Sequence, residues 1–206
     1  DTSTWTTSNI TFTGSFVDNI NTGITWSTQT SSFGSTNIRA VAYGNSTWVA
    51  GGYYGQLRTS TDAATWVTRT SMFGTTHIMS ISYGNSTWVA GGYSGQLRTS
   101  TDAITWTTRT STFGTTNIYS VAYGNGTWII GGNAGQMRTS TNSINWTTTT
   151  STFGSQIIMS IAYGNSTWVA GGYSGQMRNS TNGLTWTTVI STFGSNNIYS
   201  IAYGKI

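Results

Sequence analysis

One segment recurs along the chain at a constant spacing, and this recurrence constrains the fold more than any other feature. Glycine returns at every fortieth position from Gly44 to Gly204, and a Phe-Gly pair does so from Phe33 to Phe193. Recurrence at a fixed step of roughly 20 to 50 residues is typical of arrays built from one supersecondary unit. The chain is therefore expected to be a series of similar modules.

Each module contains four segments with the character of β-strands. The chain has no proline and no helical spacing of apolar residues, and it is rich in Thr, Val, Ile, Tyr and Trp. In the third module the predicted strands are A at Asn117–Tyr123, B at Thr127–Gly132, C at Gln136–Ser140 and D at Asn145–Thr150. Four strands in about 40 residues is the pattern of a β-propeller blade. The sequence therefore predicts an all-β propeller with four antiparallel strands per blade.

The two ends of the chain predict the number of blades. Strand A occurs five times, and the fifth copy, near Ile198, is not followed by strands B, C and D. The amino-terminal segment opens with a copy of strand B at Ser3–Trp5 and continues to a strand D at Trp26. We therefore predict a single five-bladed β-propeller domain over residues 1–206, with a closing blade formed by residues 1–31 and 197–206. Closure would cover the apolar faces that an open array exposes.

The segments that precede the strand-D tryptophans resemble a known turn motif. They read STDAATW (60–66), STDAITW (100–106), STNSINW (140–146) and STNGLTW (180–186). These segments are similar to the Asp-box of bacterial-neuraminidase-type repeats, a turn between the third and fourth strands of a propeller blade. They are one residue shorter, and two of them carry Asn in place of Asp. The resemblance implies a structural turn, because Asp and Asn side chains both accept backbone N–H groups two residues on.

The charged residues exclude most enzymatic chemistry. Only 6% of the residues are charged, Glu and Cys are absent, His77 is the single histidine, and the acids are Asp1, Asp18, Asp62 and Asp102. Glycoside hydrolysis needs two carboxyl groups about 5 to 10 Å apart, and two of the four acids belong to the predicted turns. One histidine does not favour a Ser–His–Asp triad or a multi-histidine metal site. We expect no enzyme activity, no metal and no cofactor.

The same composition limits the partners. The net charge of +4 is spread over seven arginines and one lysine without a basic run, so nucleic acid is not an expected partner. No apolar run reaches the length of about 18 residues that spans a bilayer, so membrane insertion is not expected. A charge-poor surface rich in Thr, Ser, Asn and Gly favours an extracellular or virion-surface protein.

A glutamine and an arginine two residues apart recur on strand C, and they are the candidate binding residues. Residues i and i+2 of a strand share a face, so an amide and a guanidinium project together towards sugar hydroxyls, beside tyrosines of strand B. The candidate ligand-binding residues are Gln56, Arg58, Tyr53, Gln96, Arg98, Tyr93, Gln136, Arg138, Gln176, Arg178 and Tyr173. The alternative role of each Gln–Arg pair is a hydrogen-bonded bridge between neighbouring blades.

The predicted architecture is similar to that of tachylectin-type lectins, which implies repeated sugar sites near blade junctions. The sequence accordingly predicts a non-enzymatic, multivalent recognition module with glycans as the expected ligand. The outer strand D suggests an alternative, because Val189 and Ile190, with Ile206 at the end of the chain, place apolar side chains near an uncharged edge. In that case the protein would self-associate as a structural subunit of an extracellular filament, surface layer or phage particle.

Overall fold

Four antiparallel β-sheets of four strands each, here called blades, form the fold in a computed structural model that describes residues 28 and 30–204. Blade 1 contains β1 (Ile38–Gly44), β2 (Thr47–Gly52), β3 (Leu57–Ser60) and β4 (Val67–Arg69). Blade 2 contains β5 (Ile78–Gly84), β6 (Thr87–Gly92), β7 (Leu97–Ser100) and β8 (Thr107–Arg109). Blade 3 contains β9 (Ile118–Gly124), β10 (Thr127–Gly132), β11 (Met137–Ser140) and β12 (Thr147–Thr149). Blade 4 contains β13 (Ile158–Gly164), β14 (Thr167–Gly172), β15 (Met177–Ser180) and β16 (Thr187–Val189).

Within each blade the strands pair in chain order, which confirms the predicted four-stranded antiparallel unit. In blade 1 a two-residue turn joins β1 to β2, and both of its residues, Asn45 and Ser46, have positive φ, at 45° and 55°. A turn of this kind matches the twist of a hairpin and favours Asn. A short 3-10 turn, Tyr53–Gly55, then reverses the chain from β2 into β3.

The observed strands C and D are shorter than predicted. In blade 3, strand C begins at Met137 because Gln136 caps the 3-10 turn, and strand D is limited to Thr147–Thr149. The tyrosines predicted near the end of strand B lie in the same turns, outside the sheet. The residue types do not predict these turns, because a non-glycine residue takes the left-handed conformation in each of them, as Ser94 does with a φ of 54°.

Neighbouring blades pack together where a tyrosine of one blade covers a glycine of the preceding blade. The ring of Tyr83 lies so close to Gly44 that a Cβ atom on this glycine would overlap it. Gly51 likewise leaves room for Ile78 and Ile81, whose carbon atoms would lie 2.8 Å from an added Cβ. The tyrosine contact recurs as Gly84 with Tyr123, Gly124 with Tyr163 and Gly164 with Tyr203. The glycines that repeat at every fortieth position therefore leave the space in which a tyrosine of the next module packs.

A serine in strand A adds a hydrogen bond across each of three blade junctions. The Oγ of Ser80 accepts the backbone N–H of Val121 at 3.0 Å. Ser120 accepts the N–H of Ile161, and Ser160 that of Ile201, both at 2.9 Å. In blade 1 this position is occupied by Ala40, which offers no hydroxyl.

The hydrophobic core lies between the blades as well as within them. One cluster joins Val49 and Leu57 of blade 1 to Phe73, Ile78 and Trp88 of the module that follows. The strand-B tryptophans Trp88, Trp128 and Trp168 are fully buried, and Trp106, Trp146 and Trp186 of the C–D turns are also buried. Each buried tryptophan removes about 150–250 Å² from water, so these junctions carry much of the apolar burial.

The ring is not closed within the described residues, which contain four blades instead of the predicted five. Residues 198–203 pack on blade 4 as a fifth strand A would, with Ile198 buried and Tyr203 over Gly164, but they are not paired in a sheet. Tyr43 of blade 1 is 56% exposed, and an added Cβ on Gly204 would meet no atom within 4 Å. Residues 1–27 of the predicted closing blade lie outside the described part of the chain.

Candidate functional site

The glutamine and arginine of each module lie side by side, as their spacing in the sequence predicted. In blade 2 the Nη2 of Arg98 donates to Oε1 of Gln96 at 2.7 Å, and its Nη1 donates to the carbonyl of Leu97 at 3.0 Å. The same side-chain bond joins Arg58 to Gln56, Arg138 to Gln136 and Arg178 to Gln176.

The remaining donors of each arginine hold the loop that enters the blade. The Nε and Nη2 of Arg98 donate to the carbonyl of Met72 at 3.0 and 2.6 Å, and its guanidinium lies over the ring of Phe73, 4.9 Å from the ring centre. Met72 belongs to the loop between β4 and β5. The equivalent partners are Ser32 and Phe33 for Arg58, Thr112 and Phe113 for Arg138, and Thr152 and Phe153 for Arg178.

All four of these arginines are buried, and desolvation lowers the pKa of each guanidinium from its ordinary value. Their partners are carbonyl oxygens, amide oxygens and aromatic faces, which stabilise the charged form of the guanidinium. This geometry fits the bridging alternative, because each arginine ties strand C to the loop that leads into its blade, and for Arg98, Arg138 and Arg178 this loop comes from the preceding blade. Ligand binding by the Gln–Arg pairs remains a prediction.

The candidate tyrosines do not join the Gln–Arg pairs. They are Tyr53, Tyr93 and Tyr173, in the 3-10 turns of blades 1, 2 and 4. The ring of Tyr53 stacks on His77 with 4.0 Å between centroids, Tyr93 meets Tyr119 edge-on at 6.3 Å, and Tyr173 meets Tyr199 at 6.5 Å. The tyrosines therefore point towards the start of the next strand A.

The single histidine has a structural role at one of these turns. The Nδ1 of His77 accepts the backbone N–H of Tyr54 at 3.2 Å. At the equivalent positions Asn117 and Asn197 accept the N–H of Ser94 and Ser174, both at 3.0 Å. His77 thus takes the place of an asparagine that accepts a backbone N–H of the turn. Its hydrogen bond is explained by this structural role.

The turns between strands C and D are organised by an Asp or Asn side chain. The Oδ1 of Asp62 accepts the backbone N–H groups of Thr65 at 2.7 Å and Ala64 at 2.8 Å, and the hydroxyl of Ser60 at 2.9 Å. These bonds, led by that of Thr65, lower the pKa of Asp62 to about 2. The N–H groups of Thr105 and Ile104 likewise lower the pKa of Asp102 to about 2.

Asparagine makes the same turn in blades 3 and 4. The Oδ1 of Asn142 accepts the N–H groups of Ile144 and Asn145 at 3.0 and 2.9 Å. Asn182 accepts those of Leu184 and Thr185, both at 2.9 Å. The charge of Asp62 and Asp102 is therefore not required for the turn, which accords with a structural role.

A groove lies at each of three successive blade junctions and is lined in part by these turns. The first groove, of about 410 Å³, is lined by Thr47, Thr59, Ser60 and Arg69 of blade 1 and by Asp102 and Ile104 of blade 2, among others. The second groove, of about 270 Å³, is lined by Thr87, Thr99, Ser100 and Arg109 with Asn142 and Ile144 of blade 3. The third groove, of about 360 Å³, is lined by Thr127, Thr139, Ser140 and Thr147 with Asn182 and Leu184 of blade 4.

Each groove combines hydroxyl groups with an exposed aliphatic side chain from the following blade, and the first groove also includes the exposed Val67. Ile104, Ile144 and Leu184 come from the turn of the following blade, and each is about half exposed. The sequence did not predict these grooves, because their two walls come from neighbouring modules and no local pattern specifies how those modules pack. The one sequence feature that could have indicated the grooves is an apolar residue that recurs at every fortieth position in the turn between strands C and D.

The described residues contain no cluster of three or more His, Cys, Asp or Glu side chains that could hold a metal ion. In that same part of the chain, no helix has the length and apolar character needed to cross a membrane.

Comparison with known proteins bears on the fold. No family model and no curated protein matches the chain. The solved structure of YCF48 bound to D1 peptide, a β-propeller, matches with 18% sequence identity and a TM-score of 0.60. The match covers 74% of this chain and 55% of that chain, so this chain spans little more than half the length of its counterpart. With its four-stranded antiparallel blades, the chain therefore has a β-propeller fold.

Proposed function

We propose that the protein is a non-enzymatic, multivalent recognition module that binds glycans in the grooves between its blades. The observation that carries the proposal is the recurrence of one hydroxyl-lined groove at three successive junctions. A module repeated for stability alone needs packed junctions, whereas each of these junctions leaves a groove lined by threonine and serine.

The lining suits a sugar. In the second groove the exposed residues Thr101, Thr105 and Thr107 supply hydroxyl groups, which both donate and accept hydrogen bonds as sugar hydroxyls do. Ile144 supplies an apolar surface for the C–H face of a pyranose. Small-ligand sites combine apolar walls with a few placed polar groups in about 300–1,000 Å³. Grooves of about 270 to 410 Å³ suit a small ligand such as one or two sugar units.

Repetition compensates for the weakness of a single shallow groove. Sites held on one rigid array can bind several ligands of a glycan-bearing surface together, and such linkage raises avidity by about 10² to 10⁴. A role of this kind agrees with the extracellular or virion-surface location that we propose.

The acids of the first groove favour binding over catalysis. A glycosidase needs a carboxylic acid whose pKa is raised, so that it still carries a proton near neutral pH. The pKa values of Asp62 and Asp102 are instead lowered to about 2, and the Oδ1 atom of each is occupied by backbone N–H groups. Both carboxylates therefore stay ionised and serve the turn.

A glycan array tests this function. The wild-type protein is compared with a triple variant in which Ile104, Ile144 and Leu184 are each changed to Asp, and with Ile190→Asp as a matched control. Ile190 is 91% exposed and is not among the residues lining the grooves. We expect the triple variant to lose glycan binding and the control to keep it.

Two results would count against the proposal. If the wild-type protein bound no sugar on a broad array, glycan recognition would be excluded. If the triple variant bound as the wild type does while Gln96→Ala abolished binding, the Gln–Arg pairs and not the grooves would hold the sugar.

We also propose that the ring closes with five blades, as the sequence predicted. Tyr43 is exposed and Gly204 is uncovered, although every other glycine–tyrosine pair in this series is in contact. Closure would place Tyr43 over Gly204, so Gly204→Ala should destabilise the protein as Gly84→Ala does, by about 1–3 kcal/mol. If Gly84→Ala were destabilising and Gly204→Ala neutral in urea unfolding, closure would be refuted.

Self-association is the second candidate function, and the observation that favours it is Ile190. This side chain is 91% exposed directly after β16, whose last residue is Val189; the third predicted interface residue, Ile206, lies outside the described residues. Light scattering at increasing concentration should show assemblies for the wild type and monomers for Ile190→Lys. A wild-type protein that stays monomeric throughout would exclude this function.

A further inference from the structure

The three grooves share one architecture and differ in charge. The lining of the first groove includes Asp62, Asp102 and Arg69. The lining of the second groove includes Arg109 and no carboxylate. The lining of the third groove has no charged residue and carries asparagines instead. The repeats thus present one hydroxyl framework in three electrostatic forms.

The arginine of the second groove is held in position for an anion. The Nε of Arg109 donates to the Oγ1 of Thr99 at 2.8 Å, which fixes the plane of the guanidinium. Its two terminal nitrogens donate to no other described residue. Two parallel N–H donors are the geometry with which arginine binds a carboxylate or a sulfate.

The first groove has the same arginine but the opposite balance of charge. The Nε of Arg69 donates to the Oγ1 of Thr59 at 2.8 Å, as Arg109 does to Thr99. Asp62 and Asp102 lie in the same lining and are ionised at neutral pH. Two carboxylates against one guanidinium repel an anionic ligand.

The third groove lacks the arginine. Thr149 occupies the position of Arg109, and its Oγ1 forms a hydrogen bond of 3.2 Å with that of Thr139. Thr139 is the equivalent of Thr99, the residue that positions Arg109 in the second groove. The third groove therefore keeps the acceptor that would orient an arginine.

We propose that the second groove selects an anionic sugar unit, carrying a carboxylate or a sulfate, and that the first and third grooves accept neutral sugars. This inference rests on the proposed glycan-binding function and assigns a different ligand chemistry to grooves of one origin. Arg109 determines the preference, and Thr99 is the positioning residue that orients it.

Calorimetric titration of the intact protein tests the preference. The probes are a glucuronate-terminated disaccharide, its uncharged methyl ester and an O-sulfated disaccharide of the same size. We expect one acid-selective site in the wild type. Arg109→Thr, which copies the natural residue of the third module, should weaken binding of the anionic probes by about tenfold or more relative to binding of the ester.

Two further variants test the same inference by gain of function. Thr149→Arg should create a second acid-selective site, because Thr139 is present to accept its Nε, and should raise the anionic stoichiometry from about one to about two. Asp62→Asn combined with Asp102→Asn should open the first groove to the same probes through Arg69. Thermal unfolding verifies that each variant is folded.

The outcomes are distinct. Unchanged anionic binding in Arg109→Thr, or no added site in folded Thr149→Arg, would overturn the selectivity. If every variant bound the ester and the acid equally well, the selectivity would also be overturned, while the proposed glycan-binding function would stand. If neither the acid nor the ester bound to any variant, both the selectivity and glycan recognition would be refuted. The stronger of the two anionic probes identifies carboxylate or sulfate as the preferred group.

Discussion

Replacing Arg98 with alanine would remove the buried connection between β7 and the loop that enters blade 2. The variant loses two hydrogen bonds to the carbonyl of Met72, one to that of Leu97 and one to Gln96. It also loses the contact between the guanidinium and the ring of Phe73. The substitution therefore separates a structural role of this arginine from a role in ligand binding.

The expected loss of stability follows from these contacts. A hydrogen bond to a charged donor contributes about 1.5–3 kcal/mol net, and the lower value applies to Met72 because this residue is largely exposed. The ring contact with Phe73 adds about 1 kcal/mol, and the alkyl part of the arginine is also removed from a buried position. The four hydrogen bonds share one guanidinium and are not additive, so together they contribute about 2 kcal/mol. With the ring contact, the total is about 3 kcal/mol. In a chain of this length that lowers Tm by roughly 6–12 °C.

Thermal and urea unfolding measure this loss, with two further variants for comparison. Gln96→Ala removes one of the bonds and should cost about 1 kcal/mol. Arg98→Lys keeps the charge without the planar fork and should recover less than half of the lost stability. If Arg98→Ala unfolded within about 1 °C of the wild type and failed to bind glycan, the reasoning would be wrong and the arginine would be a ligand contact.

Two further predictions concern the turns and the blade junctions. Asp62→Asn with Asp102→Asn should keep the fold, because Asn142 and Asn182 make the same bonds. Carboxylates whose folded pKa is about 2 stabilise the protein above their ordinary value near 3.8 and lose that effect as pH falls towards 2. The double variant should therefore show a flatter dependence of the urea midpoint on pH in this range, and an unchanged slope would contradict the account. Ala40→Ser should give the N–H of Ile81 the acceptor that Ser80 gives Val121, raising stability by about 0.5–1.5 kcal/mol. Hydrogen exchange at Ile81 should slow, while Ser120→Ala should accelerate exchange at Ile161; unaltered rates at both amides would show that these bonds contribute nothing.

The sequence predicted the repeating unit well because its signals are local. The predicted bounds of strand B in blade 3 agree with the observed Thr127–Gly132, because the residue types of the strand and of its flanking turns mark both ends. Gln96 lies just before β7 but has an extended backbone, so its side chain shares a face with that of Arg98. These features were accessible because each depends on residues only a few positions apart.

Features that depend on the relation between modules were less accessible. The grooves need Thr87 of one blade and Ile144 of the next, far apart in the sequence, and no local pattern specifies how blades are offset. The side-chain direction of Tyr53 was not predicted, because Tyr54 takes a left-handed conformation that is unusual for a tyrosine. The closing blade depends on residues 1–27, which diverge from the other modules and lie outside the described chain.

The packing of a tyrosine ring on a glycine of the preceding blade affects how a chain of this kind can change in length. Every described junction uses the same pair of surfaces, with Gly84 and Tyr123 repeating the contact of Gly44 and Tyr83. Inserting or deleting one whole module therefore keeps the glycine–tyrosine contact at each remaining junction, although the serine hydrogen bond is absent where Ala40 stands. The number of units is limited by the angle between successive blades and not by which residues meet. Unequal exchange within the coding repeats would thus produce folded arrays of different length before any residue at a joint had to change.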